Sequence, residues 1–279
     1  MNDRTLRFLR RSRTAAYSLL EPLDFVWRKI NRMGRYPPLR LRLHAGALGT
    51  LDGSGFEFVG LLKLLAGLEP GQKIWDMGCG CGLLELALEA SGWRGKSIGT
   101  DIHRPSIRWA ARTLAAHQPS FLFRHADIYS RDYWPGGQLT ARQWLEGFQE
   151  KDFDLVVAKS FFTHLLPEEF EVYLSALAER LKPGGTGFLT FFIMDGPAGE
   201  SELIRPPSLR FVRSGEGRDY AVKTPSAPTA AVAYSEDYLR RRLQERHLLV
   251  NDIRWGWWRG TGNGLSFQDV VIVQAETRD

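Results

Sequence analysis

The sequence contains little cysteine and no long apolar run. Its two cysteines among 279 residues, Cys79 and Cys81, are separated by a single glycine. A bridge between positions this close would strain the chain, and two thiols cannot complete a structural zinc site. We therefore predict neither a disulfide framework nor a metal centre. No stretch of about 18 apolar residues occurs, which argues against a membrane-spanning helix. Together these absences predict a protein of the reducing cytoplasm.

Strong compositional bias is also absent, although the charge is unevenly distributed. Hydrophobic residues make up 43% of the chain and charged residues 25%, which argues against a disordered, collagen-like or coiled-coil chain. Residues 1–45 hold eleven Lys/Arg and only three Asp/Glu. Such a segment suits a nucleic acid, a membrane surface or an anionic substrate, and equally a solvated helix face. No apolar stretch follows Arg10-Arg11, so an export signal is not predicted, whereas an organelle transit peptide stays open.

The N-terminal part of the chain differs from the rest. Residues 1–48 are predicted to form a basic helical extension that could cover an active site. Its second helix begins near Pro22 and carries Phe25, Val26 and Ile30 on its apolar face. Glycine-rich residues 41–56 are predicted as a loop, followed by a helix at 59–68. Residues 49–279 are predicted as one domain with insertions near 130–152 and 196–233, the second a proline-rich loop.

Strands and helices alternate from residue 73 onward, which predicts an α/β fold with a parallel sheet covered by helices on both faces. The predicted strands are 73–77, 97–100, 121–124, 153–158 and 186–193, and the helices between them are 83–90, 105–117 and 167–181. A short helix is predicted near 141–148 inside the first insertion. A helix at 235–246 and two strands at 248–255 and 267–274 close the chain.

A glycine-rich turn follows the first strand. It runs Ile74-Trp75-Asp76-Met77-Gly78-Cys79-Gly80-Cys81-Gly82, so the strand ends in an acid and three alternating glycines open a helix. Glycines permit a tight turn and let a ligand approach the backbone. In the dinucleotide fingerprint the third glycine comes one position later, and a carboxylate such as Asp76 would repel a phosphate. Both departures favour a nucleoside ligand that lacks phosphates.

Acidic residues also end the next two strands. Asp101 lies 25 residues after Asp76, and Asp127 follows the third strand. An acid about 20 residues beyond the glycine turn commonly binds ribose hydroxyls. Ligands of open α/β sheets bind at the carboxyl ends of the strands, so the three acids and the glycines predict one nucleoside site there. The alternative is that Asp101 and Asp127 only cap turns.

These motifs resemble those of the class I S-adenosylmethionine-dependent methyltransferases. The resemblance covers roughly residues 50–195 and extends more weakly to the closing strands. It rests on residues 76–82, Gly99-Thr100-Asp101-Ile102, Ala126-Asp127-Ile128, Phe153-Asp154-Leu155 and Leu181-Lys182-Pro183-Gly184-Gly185. It implies a Rossmann-like, doubly wound sheet of seven strands with an antiparallel last strand, and S-adenosylmethionine as the cofactor.

The resemblance also assigns residues to that cofactor. It implies that the glycine loop faces the methionine part, with Asp76 near the methionine ammonium through water. It implies that Asp101 binds the ribose hydroxyls and that Asp127 reaches the adenine amine, with Ile128 packed on the ring. The predicted cofactor-binding residues lie at the carboxyl ends of the first four strands: Asp76, Gly78, Gly80, Gly82, Asp101, Ile102, Asp127, Ile128 and Ser160.

A candidate base follows the fourth strand, whose carboxyl end should face the transferred methyl group. The segment there is Lys159-Ser160-Phe161-Phe162-Thr163-His164. Methyl transfer is an in-line displacement that depends on alignment, and an alcohol acceptor usually needs a base. Histidine suits that task at neutral pH, so His164 is the predicted catalytic residue, a capping or packing role being the alternative. Gln268-Asp269 could orient a substrate or pin the end of the last strand.

Several methyltransferase signatures are absent after the fourth strand. The sequence has no Asn/Asp-Pro-Pro-aromatic motif, no cysteine after proline and no evident acidic cluster for a metal. We therefore predict methyl transfer to an oxygen, of a hydroxyl or a carboxylate, on a small metabolite, natural product or saccharide, with nucleic acid disfavoured as a partner. Two alternatives stay open: an RNA-directed methyltransferase that uses the basic N-terminus, and a catalytically silent cofactor-binding partner subunit.

Overall fold

The computed structural model describes residues 19–31, 33–42, 51–194, 209–213, 219–260 and 264–277, with the backbone alone at 51–54 and 56. The strands are β1 (Lys73–Met77), β2 (Lys96–Asp101), β3 (Phe121–His125), β4 (Phe153–Ala158), β5 (Leu181–Phe191), β6 (Val212–Arg213), β7 (Tyr220–Val222), β8 (Val232–Tyr234), β9 (Leu248–Arg254) and β10 (Asp269–Ala275). The helices are α1 (19–30), α2 (Leu39–Arg42), α3 (Leu51–Ala66), α4 (Leu83–Ala90), α5 (Arg104–Thr113), α6 (Ala141–Gly147), α7 (Pro167–Arg180) and α8 (Glu236–Gln244).

Seven strands form one sheet in the order β3-β2-β1-β4-β5-β10-β9. The first five run parallel to one another, whereas β10 is antiparallel to both β5 and β9. The predicted seven-stranded sheet with an antiparallel last strand is therefore confirmed. The chain leaves β1 towards β2 on one side and returns to place β4 on the other. The strand order thus reverses between β1 and β4, which is where open α/β sheets bind ligands.

Helices cover both faces of the sheet, because strands such as β4 are apolar on each side. On one face α3, α4 and α5 bury side chains such as Leu62, Leu88 and Ala110 against β1 and β5. On the other face α6, α7 and α8 bury Leu145, Phe170 and others. Each fully buried leucine or phenylalanine contributes about 1.5–3 kcal/mol relative to an exposed one. The doubly wound arrangement predicted from the sequence is confirmed.

Helix α3 begins earlier than predicted. Residues 41–56 were expected to form a glycine-rich loop, yet the helix starts at Leu51 and includes Gly53 and Gly55. A Cβ atom added at Gly55 would lie 3.0 Å from the Cβ atom of Ala87 on α4. A residue without a side chain therefore lets α3 approach α4 closely, and tertiary packing overrides the low helix propensity of glycine.

The second insertion is not simply a loop. Its described residues form a three-stranded antiparallel sheet in the order β6-β7-β8, while residues 195–208 and 214–218 lie outside the described part. Val222 and Val232 are buried and pack against the core beside α7 and α8. The prediction of an irregular segment at 196–233 is wrong for these strands, because the prolines at 225 and 228 occupy the connection between β7 and β8 rather than the strands.

The N-terminal extension is described only from residue 19, so most of the basic helix that the sequence predicts at 4–20 lies outside the described residues. The helix predicted to begin near Pro22 is present as α1, which includes residues 19–21 ahead of the proline. Its apolar face is exposed: Phe25 is 50%, Val26 53% and Ile30 76% accessible. Its buried contacts are polar, since Asp24 forms ion pairs with Arg28 and with Arg42. No described helix combines the length and hydropathy that crossing a bilayer requires.

Candidate functional site

A cavity of about 570 Å³ lies at the carboxyl ends of β1 to β4, where the strand order reverses. Its lining draws on the glycine loop after β1, the loops after β2 and β3, and the segment after β4. The predicted site residues among its lining are Asp76, Gly78, Gly80, Asp101, Ile102, Ile128, Ser160 and His164. The described residues of the N-terminal extension do not line it, and the proposal that this extension covers the site stays a prediction.

The glycine loop adopts the left-handed backbone that glycine permits. Gly78, Gly80 and Gly82 have φ of 75°, 56° and 75°, and the first two line the cavity. Gly82 is turned away from it, because a Cβ atom there would lie 2.8 Å from Leu114 and 3.0 Å from Phe123. Gly82 therefore lets α4 pack closely on the core, and the predicted contact of this residue with a ligand stays a prediction.

Asp101 ties the glycine loop to the loop after β2. Its Oδ2 atom accepts a hydrogen bond from the backbone N–H of Gly80 at 2.9 Å, and its Oδ1 atom accepts one from the N–H of His103 at 2.6 Å. The carboxylate is thereby held at the cavity wall. Each oxygen of a carboxylate can accept more than one hydrogen bond.

Asp127 and Ile128 follow β3 but have different surroundings. Ile128 is 3% exposed and lines the cavity. Asp127 is absent from the described lining, and its Oδ1 atom accepts a hydrogen bond from the indole N–H of Trp134 at 2.9 Å. The same residue anchors the first insertion, because its carbonyl oxygen accepts from the N–H groups of Gln138 and Leu139. The contact of Asp127 with an adenine amine stays a prediction.

Two titratable side chains of opposite type line the cavity, the buried Asp76 and the more exposed Lys159. Burial raises the pKa of Asp76 well above its usual range, and the charges of Glu85 and Asp101 raise it further, while Lys159 opposes them. Burial lowers the pKa of Lys159, against the opposing effect of Asp76. Both side chains line the cavity and both are drawn towards their neutral forms.

Ser160 is held in an uncommon conformation by side chains of β5 and the segment before β10. Its φ of 54° is unusual for a residue other than glycine. Its N–H donates to Thr190 Oγ1 at 2.7 Å, and its hydroxyl donates to Gln268 Oε1 at 2.9 Å. The Gln268 amide is also 3.4 Å from Thr163 Oγ1. This network fixes the segment after β4, and backbone strain of this kind is common at functional sites.

Asp269 pins the start of β10. Its carboxylate is fully buried and accepts hydrogen bonds from the N–H groups of Ile193 and Gly256 and from the indole of Trp258. It also pairs with Arg259 at 3.1 Å. For Gln268-Asp269, these contacts favour a role in holding the strand end and the neighbouring loop over a role in orienting a substrate.

His164 lies where the two insertions meet. It ends the 3-10 turn Phe162–His164, and its Nδ1 atom is 2.9 Å from the carbonyl oxygen of Thr229 and 3.0 Å from the Tyr133 hydroxyl. A carbonyl oxygen only accepts hydrogen bonds, so Nδ1 carries the proton. In the neutral ring, Nε2 therefore holds the lone pair that a general base needs. The described residues contain no group of three or more His, Cys, Asp or Glu side chains placed to hold a metal ion.

Several site residues were not predicted. Glu85 and Lys159 act on Asp76, and Tyr133 and Thr229 hold His164. Lys159 could have been found, because it directly follows β4, the strand that pairs with β1 and its Asp76. Tyr133 and Thr229 carry no local signal, because their contacts with His164 span 31 and 65 residues of chain.

Part of the sequence is similar to known proteins. Residues 74–185 match the family described as "Methyltransferase domain". The ribosomal protein L11 methyltransferase of Caulobacter sp. (strain K31) is 34% identical over 101 residues, which cover 33% of this chain and 33% of the relative. The match therefore spans about a third of that relative's length.

Two solved structures share the fold at low sequence identity. The 1,6-didemethyltoxoflavin-N1-methyltransferase of Burkholderia thailandensis, solved with 1,6-didemethyltoxoflavin and S-adenosylhomocysteine, has a TM-score of 0.51 and 15% identity, over 94% of this chain and 90% of that one. The [4+2]-cyclase SpnF has a TM-score of 0.50 and 13% identity, over 80% of this chain and 81% of that one. At such identities the likeness establishes the fold alone.

Proposed function

We propose that the chain is a class I S-adenosylmethionine-dependent methyltransferase, as the match of residues 74–185 to the methyltransferase-domain family supports, and that it transfers the methyl group of S-adenosylmethionine to an oxygen of a small molecule. The acceptor is a hydroxyl or carboxylate of a metabolite, natural product or saccharide. The main support for this proposal is that Asp101 and His164 line the same cavity, where the strand order of the sheet reverses. We also propose that the protein is located in the cytoplasm.

The cavity suits the proposed cofactor in size and chemistry. Its volume of about 570 Å³ lies in the range of small-molecule sites, about 300–1,000 Å³. Asp101 would accept hydrogen bonds from the ribose hydroxyls, and Ile102 and Ile128 would pack against the adenine. Gly78 and Gly80 leave the backbone accessible to the methionine part, with Asp76 near its ammonium group. When bound, S-adenosylmethionine supplies an electrophilic methyl group on a positively charged sulfur.

His164 supports an oxygen acceptor. A hydroxyl must lose its proton as the new bond forms, and a positioned base typically contributes about 10²–10⁴-fold to such a step. The contact with the Thr229 carbonyl leaves Nε2 of His164 as the atom that takes the proton. A carboxylate acceptor needs no base, so the two oxygen acceptors differ in their dependence on His164.

Thermal unfolding with S-adenosylhomocysteine, and with NADH as the control, tests the cofactor. A ligand at 100 times its Kd adds about 2.7 kcal/mol, which raises Tm by a few degrees in a chain of this size. We expect a shift with S-adenosylhomocysteine alone. Isotope-labelled S-adenosylmethionine with panels of phenols, sugars, carboxylic acids and amines then tests the acceptor. Labelling confined to amines would contradict the oxygen acceptor and leave the cofactor assignment intact.

A second candidate is a catalytically silent cofactor-binding protein. A shared fold does not imply a shared activity, as the [4+2]-cyclase SpnF illustrates. This candidate predicts binding of S-adenosylhomocysteine without labelling of any acceptor. Turnover on one acceptor, lost in His164→Ala with binding retained, would exclude it.

A further inference from the structure

A second cavity, of about 620 Å³, lies between α2 and α5 and shares no lining residue with the first. Four arginines line it together with two tryptophans, and no acidic residue is among its described lining. The lining residues are Arg40, Leu41, Arg104, Pro105, Arg108, Trp109, Arg112, Thr113 and Trp134. We call it the arginine pocket. Guanidinium groups stay protonated in proteins, so its walls carry four positive charges.

Three of the arginines form a row along one helix. Arg104, Arg108 and Arg112 recur every four residues on α5, so they share one face and span about 12 Å at 1.5 Å per residue. Arg40 comes from α2 and adds a charge from outside that row. Like charges four residues apart destabilise a helix, so helix stability does not account for this spacing.

The described protein supplies no salt bridge to the four guanidinium groups, and the Glu21 carboxylate accepts instead from the backbone N–H of Arg40 at 3.2 Å. Among the described residues, none of the four arginine side chains of the pocket forms an ion pair or a side-chain hydrogen bond. Other arginines nearby are paired, since Arg35 contacts Glu89 at 2.5 Å and Arg28 contacts Asp24 at 2.8 Å. Clustered unpaired arginines in a concave site suit an anionic ligand with several charges.

Two indole rings add a surface for an aromatic group. Trp109 on α5 and Trp134 in the first insertion line the pocket. The indole of Trp134 is fixed, because its N–H donates to Asp127 at 2.9 Å and its ring contacts His125 edge-on with centroids 5.5 Å apart. A fixed indole ring of this kind suits stacking with a planar ligand group.

We propose that the arginine pocket binds a small organic polyphosphate that carries an aromatic ring, the chemistry of a nucleoside polyphosphate. Two or more phosphates would contact the row on α5 and Arg40, and the base would pack on Trp109 or Trp134. The size of the pocket and its concave shape favour a small ligand over an extended polyanion. The proposal concerns a binding site separate from the first cavity and does not depend on methyl transfer.

Isothermal titration of the full chain tests it with ATP, inorganic tripolyphosphate and adenosine as probes. We expect ATP to bind more tightly than tripolyphosphate, and adenosine more weakly than either. The double variant R108Q/R112Q should weaken ATP binding at least tenfold. Raising the salt concentration should weaken it as well, because exposed charges are screened. The matched control K63Q/R142Q removes two exposed charges from α3 and α6 and should stay within twofold of the parent chain.

Trp109→Leu tests the contribution of the aromatic ring apart from that of the charges. It should weaken the binding of ATP but not the binding of tripolyphosphate. Asp101→Ala, in the first cavity, should leave ATP affinity within twofold, which distinguishes this site from the proposed cofactor site. The proposal is overturned by no ATP binding to the parent chain, by equal losses in the double variant and its control, or by a loss in Asp101→Ala. Binding of a single-stranded RNA without binding of ATP or tripolyphosphate would also overturn it, in favour of a nucleic-acid strand.

Discussion

The Nδ1 atom of His164 lies 2.9 Å from the carbonyl oxygen of Thr229, although 65 residues separate the two in sequence. This contact selects the tautomer with a proton on Nδ1 and leaves Nε2 as the basic atom. It also joins the segment after β4 to the connection that precedes β8. The proposed base therefore depends on the second insertion for its orientation.

Replacing His164 should remove catalysis of transfer to a hydroxyl without removing cofactor binding. We expect His164→Ala to lower kcat/KM by about 10²-fold or more, because a positioned base contributes about 10²–10⁴-fold. S-adenosylhomocysteine affinity, measured by titration calorimetry, should change little. Tyr133→Phe is the matched control, since the Thr229 carbonyl still orients the ring, and its loss should be smaller. An unchanged kcat/KM in His164→Ala on a hydroxyl acceptor would show that another group takes the proton.

Local patterns in the sequence predicted the central strands well. The boundaries of β1, β4 and α4 agree with the prediction, because short apolar runs there are bounded by glycine or charged residues. The residues that hold His164 were not predictable in this way. Thr229 lies in a segment whose prolines indicate a loop, and Tyr133 lies in an insertion without regular periodicity. Their contacts depend on how distant segments pack, which no local spacing specifies.

The start of α3 is also set by packing between distant segments rather than by a local pattern. Glycine has low intrinsic helix propensity, so Gly53 and Gly55 favoured a loop in the sequence. The close approach of Gly55 to Ala87 on α4 reverses that preference. In contrast, Asp76 and Asp101 both line the cavity, because parallel strands bring their carboxyl ends to one edge regardless of the connecting segments; their contact with a cofactor stays a prediction.

Asp101→Ala should weaken cofactor binding and loosen the glycine loop. The substitution removes the acceptor for the N–H groups of Gly80 and His103, and leaving such donors unsatisfied costs about 1–3 kcal/mol. We expect S-adenosylhomocysteine to bind about tenfold or more weakly in titration calorimetry. The loss of affinity in Asp101→Ala is compared with that in Asp127→Ala, because the side chain of Asp127 contacts Trp134. Affinity unchanged in Asp101→Ala to within about 0.5 kcal/mol would contradict the ribose role.

Gly82→Ala and Gly92→Ala form a pair that separates backbone strain from overpacking. Both glycines have φ of 75°, so an alanine at either position costs about 1–2 kcal/mol in the left-handed region. Nothing lies within 4 Å of a Cβ atom at Gly92, whereas at Gly82 it would be 2.8 Å from Leu114. Overpacking typically adds about 1–3 kcal/mol. Urea unfolding should therefore show Gly82→Ala as the less stable variant, and equal stabilities would refute the packing role of Gly82.

Glu85 should make the protein less stable as the pH rises. Its side chain, on α4, is fully buried, and burial raises its pKa from 4.5 to about 7, against the opposing hydrogen bond from Ser97. Between these two values the folded state binds more protons than the unfolded state, so the free energy of unfolding falls with increasing pH. The stabilisation is complete below about pH 4.5 and is lost by about pH 7.

The loss amounts to at most about 3 kcal/mol, at 1.36 kcal/mol for each unit of pKa. Glu85→Gln keeps the shape and an acceptor for Ser97 but cannot ionise. We therefore expect urea unfolding from pH 5 to 8 to show a smaller decline in this variant, with greater stability than the parent chain at pH 8. Glu146→Gln, at an exposed position on α6, should leave the decline unchanged. A decline of equal size in Glu85→Gln would mean that other groups, Asp76 first among them, carry the pH dependence.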